Sequence, residues 1–423
     1  MMNKILLYIL LIGFIFKVNA QNEKPILFLG ATAHLGNGKK IENSAISIIN
    51  GKIDIVADAT MIRIDPIAFD TIYKLYNKHI YPGFIVPNTT LGITEIDAVR
   101  ASNDYRETGK INPNIRALIA YNTDSRISKT VRSNGVLLAQ VTPRGGLISG
   151  QSSVMYLDGW NWEDAICKSD DGIHVNWPSS YYQSGWWAEP GKTKKNKKYN
   201  DTKNELYNLF KTATSYSKKN KIIDLRLESM KDLFNGGKTL YIHSNNASDM
   251  LDAIDFVNYF KIKKLVIVGG EDALKIIEPL KKNNVSLILN RVHRLPNKED
   301  SSIDAPFTQA AELEKAGILF CLSYAGDMEA MGSRNLPFTA GTAVAYGLDY
   351  EKAVSSISLN AAKILGIDEK CGSIEQGKEA TFFISTGDAL DMKTNNIEKA
   401  YIKGVAIDLN NHQKALFNKY SNK

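Results

Sequence analysis

The 423-residue chain is too long for one small core and suits a body of about 250 residues with a smaller companion domain. A hydrophobic fraction of 44% and a charged fraction of 23% belong to an ordinary globular protein, which excludes fibrous and disordered classes. The formal charge of +7 is concentrated in part at Lys192, Lys194, Lys195, Lys197 and Lys198. With no interleaved aromatics to stack on bases, that run reads as a solvated insertion, and no nucleic-acid partner is expected.

The chain opens on a leader-like segment. Lys4 precedes an apolar stretch from Ile5 to Phe16, and Val18-Asn19-Ala20 has the small residues of a cleavage site. The run falls short of the ~20 apolar residues that span a bilayer. Residues 1–20 therefore read as a signal peptide cleaved after Ala20, with an uncleaved tether as the alternative. The expectation is an exported, periplasmic protein with no membrane span in its mature chain. Lys4 and Lys17 are the only charges in that segment, so its loss lowers the net charge to +5.

Residues 25–33 and 45–49 are apolar and β-rich, and Gly51 turns the chain into a further strand at 52–57. The C-terminal end has the same texture at 380–385 and 399–409. Between them, strand-like runs at 84–86, 136–142, 239–243, 264–268, 285–289 and 317–323 alternate with helical patterns at 205–218, 224–234, 247–260, 272–281 and 307–316. Such alternation predicts parallel β/α units, either closed into a barrel or laid out as an open sheet. No G-x-G-x-x-G fingerprint opens any unit, so a dinucleotide site lacks support. The three cysteines, Cys167, Cys321 and Cys371, form no C-x-x-C pair and allow at most one disulfide. Cys321 sits in an apolar run and is expected buried and free.

The stretch from Tyr81 to Gly92 carries Pro82-Gly83-Phe84-Ile85-Val86, then Asn88 and Thr90 two apart, where a strand points both side chains one way. It resembles the PGFID-x-H-x-H signature that opens the barrel of the amidohydrolase superfamily. Further blocks, GGLISGQSSV, TLYIHSNN, the segment from Arg334 to Gly366 and Gly372-Ser-Ile-Glu-Gln-Gly-Lys378, are similar to an imidazolonepropionase-like amidohydrolase. The resemblance implies an α/β fold: a (β/α)8 TIM-type barrel over 81–366, with a composite β-sandwich built from 21–80 and 367–423. It also implies a divalent metal at the C-terminal ends of the strands, which acidifies a bound water and polarises the substrate.

The ligand positions that the resemblance implies are poorly filled. The two histidines of the first strand are replaced by Asn88 and Thr90, whose neutral oxygens are weak zinc ligands. The fifth strand keeps His243. Gly269 stands at the sixth strand, and Ala325 stands where an aspartate is expected, with Asp327 two residues on. No metal or other cofactor is therefore predicted, and His243 reads either as a hydrogen-bonded relic or as a ligand or base. His293, between Arg291 and Arg294, belongs either to the mouth or to a surface loop. The two arginines could read a carboxylate. His34, His79, His174 and His412 are assigned to loops or to the β domain.

Arg144-Gly145-Gly146-Leu-Ile-Ser149-Gly150 reads either as an anion-binding nest or as a tight loop between a strand and a helix. The aromatics Tyr156, Trp160, Trp162, Trp177, Tyr181, Tyr182, Trp186 and Trp187 suit a substrate mouth, a subunit interface or core. Glu95, Asp97, Asp104 and Glu107 read as surface-helix charge or as an oxygen-ligand site. Two functions follow. The first is a divergent amidohydrolase that has lost the metal site and binds a small molecule, or serves as partner to an intact relative or in a homo-oligomer. The second is an active hydrolase of non-peptide C–N bonds, with zinc or another divalent metal in a rearranged site carried by His243, His293 and Asp327.

Overall fold

The computed structural model describes residues 24–186, 188–219, 223–296, 298, 300–326 and 328–421. The expected leader at 1–20 lies outside the described residues. Eight strands form the central sheet: β1 (Phe84–Thr89), β2 (Val136–Val141), β3 (Ile148–Tyr156), β4 (Ile166–Asn176), β5 (Thr239–Ser244), β6 (Leu265–Gly269), β7 (Ser286–Leu289) and β8 (Phe320–Leu322). They are neighbours in chain order. β1 and β8 approach each other across the remaining seam, and the Ile85 amide of β1 donates to the carbonyl of Ile357, at the end of the helix Tyr350–Ser356, at 2.8 Å. The sheet is thus a nearly closed barrel with helices around it.

One strand departs from strict β/α alternation. β3 runs antiparallel to both β2 and β4, while the other barrel ladders are parallel. Antiparallel neighbours can be joined by a tight turn, whereas a parallel pair needs a crossover. Residues 142–147 supply the turn, with positive φ at Gly145 and Gly146. The expected loop between a strand and a helix is therefore a reversal between two strands, and Ser149 and Gly150 belong to β3 itself.

The helices that cover the barrel end on identifiable signals. Ala247–Phe260 buries Met250, Ala253, Ile254, Phe256 and Val257 and stops at Lys261 in the left-handed region. Leu225–Asn235 starts with the Asp224 carboxylate accepting from the Arg226 amide and ends at Gly236, also left-handed. Ala305–Lys315 has Pro306 in its first turn. The expected helix at 272–281 is instead a 3-10 turn, Ala273–Ile276, followed by the short helix Ile277–Lys282.

The lysine-rich run begins on an exposed hairpin, Tyr181–Trp186 against Glu189–Lys195, and continues through Lys197 and Lys198 in the turn before the helix Tyr199–Lys219. No α-helix carries the acids after β1: residues 93–116 are irregular apart from a 3-10 turn at Arg100–Ser102, so the surface-helix reading of those acids fails.

Two further sheets enclose a second core. One is ordered Lys52–Asp58, Ser44–Ile49, Ile26–Leu29, Thr71–Lys74; the other is Val405–Ile407, Ile397–Ile402, Phe382–Ser385, His79–Pro82, Thr32–His34, Lys40–Ile41. The second draws strands from both ends of the chain. Phe28, Ile46, Ile80, Phe382 and Tyr401 fill the space between them, with the Phe28 ring edge-on to Phe382 at 5.2 Å. All three cysteines are free and buried, Cys321 inside β8 as expected. Among the described residues, no helix is long and apolar enough to cross a membrane.

Candidate functional site

At the C-terminal ends of the barrel strands opens a cleft of about 2230 Å³, lined among others by Asn88, Thr90, Arg144, His243, Arg291 and Glu329. Its floor is a polar network strung across five adjacent strands. The Asn88 amide donates to Gln140 Oε1 at 3.1 Å, and Gln140 Nε2 donates to Asp171 Oδ2 at 2.9 Å and to Ser152 Oγ at 3.2 Å. Asp171 also accepts from the Ser152 hydroxyl at 2.7 Å and the Tyr241 hydroxyl at 2.6 Å. Burial pushes the Asp171 carboxyl up against the pull of these three donors.

The network fixes two histidine tautomers. The Ser152 proton goes to Asp171, so Ser152 Oγ, 2.9 Å from His174 Nε2, accepts the hydrogen on that nitrogen. His174 Nδ1 is then the acceptor, and His243 Nε2, 2.9 Å away, is its donor. Nδ1 of His243 keeps the lone pair. Burial, with the Arg144 guanidinium in support, holds His243 down to about 3. His174, stacked on Tyr241 with ring centroids 4.5 Å apart, is held well below its ordinary value by burial, His243 and Arg144. Both imidazoles are neutral near pH 7.

The charge beside them belongs to Arg144. Its Nη1 donates to Asn88 Oδ1 at 2.9 Å and Nη2 to the Asn88 carbonyl at 2.8 Å. Nε and Nη2 reach Glu329 Oε1 at 3.0 and 2.9 Å, while Glu329 Oε2 accepts the Gly326 amide at 3.1 Å. Asn88 takes this position with φ at +50° in a break of the β1–β2 register, a conformation that asparagine tolerates better than most residues. On the opposite wall, Arg294 pairs with Glu271 at 3.1 Å, and Asn290 Nδ2 donates to Asn245 Oδ1 and Glu271 Oε1.

The candidates from sequence divide accordingly. Asn88, Thr90, His243, Ala325 and Arg144 share the cleft. Gly269 could not be a histidine without rearrangement, because a Cβ there would lie 2.3 Å from Asn245 Oδ1. His293 is exposed and absent from the cleft lining; its Nε2 hydrogen-bonds the Thr342 hydroxyl at 2.7 Å. Asp327 lies outside the described residues, as does Trp187.

The anion-nest reading of the Gly-rich turn loses support. The amides of Arg144, Leu147 and Ile148 go to the carbonyls of Tyr105 and Lys110, and Asn176 Nδ2 donates to the Gly146 carbonyl and to Ser149 Oγ. Of the aromatics, Trp177, Tyr181 and Tyr182 line the mouth, Tyr156 is buried and Trp160 is fully outside.

His174 is the residue that sequence reasoning misplaced. It lies in β4, not in a loop or the β domain. Gln140, Ser152, Asp171 and Glu329 were not singled out at all. The available signal was the recurrence of polar residues within otherwise apolar strands, as at Gln140 in β2 and at Tyr241 and His243 in β5.

A divalent metal, which the fold implies, does not fit this donor set. Among the described residues no three His, Cys, Asp or Glu side chains converge on a point. A guanidinium already occupies the oxygen of Asn88, and His243, with Nε2 committed to His174, offers a single lone pair at Nδ1 and no second strong ligand beside it among the described residues.

A profile described as the amidohydrolase family matches residues 189–407. Among solved structures, an amidohydrolase from Thermotoga maritima MSB8 shares 24% identity at a TM-score of 0.77, covering 90% of this chain and 99% of its own. A Xaa-Pro dipeptidase with bound methionine in the active site gives 13% and 0.55, with 91% and 100% covered. The A. niger ochratoxinase gives 12% and 0.55, with 91% and 96% covered. At these identities the likeness shows the fold. No curated protein sequence matches the chain.

Proposed function

Because the chain belongs to the amidohydrolase family, we propose that it is a divergent member in which an arginine interlock stands in place of the metal and the barrel mouth binds a small carboxylate-bearing molecule. The observation that carries the reading is Arg144, held by Asn88 and Glu329 beside His243. A guanidinium is a fixed positive charge, so a divalent cation next to it would be repelled as well as under-coordinated. Arg291, on the cleft wall within 5.9 Å of the Tyr324 ring centroid, is the group assigned to the ligand carboxylate. An exported protein that works alone, as a homo-oligomer or beside an intact relative is part of the same proposal.

The test is metal content after incubation with zinc or manganese and desalting. We expect far less than one equivalent, unchanged by His243→Ala. With N-acetyl amino acids as probes, we expect a rise in unfolding midpoint that Arg291→Gln abolishes. One stoichiometric metal lost on His243→Ala would overturn the reading.

That outcome would favour a second one, hydrolysis of C–N bonds. It is supported by His174 and His243 side by side at the strand ends, and by relatives whose names denote a dipeptidase and an ochratoxinase. The imidazolonepropionase-like motifs would direct that screen to cyclic amides.

A further inference from the structure

We propose that Cys167 and Cys371 form a disulfide that ties β4 of the barrel to the segment where the chain leaves its last barrel helix for the sandwich. Three sets of bonds hold the two sites together. Lys168 Nζ donates to the Leu365 carbonyl at 2.7 Å, at the end of helix Leu359–Leu365. Lys370 Nζ donates to the Cys167 carbonyl at 3.2 Å. The Tyr156 hydroxyl, on a residue whose amide bonds Ala165, donates to Glu379, and the Glu379 amide returns to the Lys370 carbonyl at 2.8 Å.

Inside this frame the two buried thiols lie close enough to act on each other, and the Cys371 thiol donates to the Ile367 carbonyl at 3.8 Å. The Cys371 thiol and the Tyr156 hydroxyl both lower Cys167, whereas Cys371 is raised well above the ordinary thiol range. Cys321 has no such company: burial alone pushes it up, inside β8.

The bond forms by ordinary thiol–disulfide exchange. While the chain is still open enough to admit it, a small disulfide such as oxidised glutathione is attacked by the Cys167 thiolate, releasing one glutathione thiolate. Cys371, deprotonated, then displaces the second glutathione from the mixed disulfide. Two protein thiols lose two protons and two electrons, and one glutathione disulfide becomes two glutathione thiols.

The experiment is peptide mapping of the full chain refolded with oxidised glutathione, then unfolded and alkylated without reduction. We expect a Cys167–Cys371 linked peptide, Cys321 alkylated, and the link kept in Cys321→Ser. The oxidised protein should also unfold several degrees above the same protein refolded with dithiothreitol. Cys167 and Cys371 both alkylated, or Cys321 found in the link, would overturn the proposal. The readout on the unsubstituted chain does not depend on any variant folding.

Discussion

Two imidazoles buried as neutral groups make a measurable demand on pH. His174 and His243 are both held below the ordinary histidine value, His243 down to about 3. Above about pH 6.5 neither the folded nor the unfolded chain protonates them, and their contribution to stability is complete. Below that value the unfolded chain takes up protons that the folded chain refuses, so stability falls until the folded values are reached. The slope is at most about 1.4 kcal/mol per pH unit for each histidine. His174→Phe keeps a ring against Tyr241 and removes one titrating group, so urea midpoints between pH 6.5 and 5 should fall less steeply than in the parent, the slope in stability dropping by up to about 1.4 kcal/mol per pH unit while His243, His79 and His293 still contribute. Equal slopes would mean that His174 is not a buried neutral imidazole. Asn88 and Thr90 were legible in the sequence as poor ligands, because residue type alone decides that. What replaces the ligands was not, since Arg144, Asn88 and Glu329 meet only across strands and loops far apart in the chain.

At the scale of elements, local pattern served best where one element answers to one signal. The helix Ala247–Phe260 was bounded correctly by its apolar spacing, and the runs around β5 to β8 were read as strands. β3 was hidden because its glycines and serines look like loop composition, although every one of its residues is buried between β2 and β4. Strand direction is a property of pairing, and periodicity carries no information on it. The hairpin Tyr181–Lys195 is the opposite case, an element that buries little: Tyr181, Tyr182 and Trp186 are each more than half exposed. Replacing it by a short Gly-rich turn should therefore leave the thermal midpoint within about 3 °C of the parent, the range of changes that remove no core. Because Tyr181, Tyr182 and Lys192 wall the cleft, the same deletion should weaken N-acetyl amino acid binding in a thermal-shift assay. A large loss of stability would show that the arm supports the barrel.

Over the whole molecule, the composite sandwich is fastened to the barrel through its own central strand. Phe382–Ser385 pairs with both Ile397–Ile402 and His79–Pro82, and the latter runs directly into β1. Alternate residues of this strand serve the two cores: Phe382 and Ile384 face Phe28 and Tyr401, while Phe383 packs on Tyr81 and Phe84, with ring centroids 5.4 and 4.9 Å apart. The β texture of both chain ends was visible in the sequence. Two β segments flanking a long middle already suited a composite sheet, and the family resemblance implied one; the pairing itself, a ladder between residues some 300 apart, leaves no local trace. Two cores that share one strand should melt together. Phe383→Ala deletes a fully buried ring at the junction and should cost about 3–5 kcal/mol. Calorimetry should record that loss as one cooperative transition moved to lower temperature. Two resolved transitions, with the barrel melting where the parent does, would mean that the sandwich is an appendage and that the shared strand does not couple the cores.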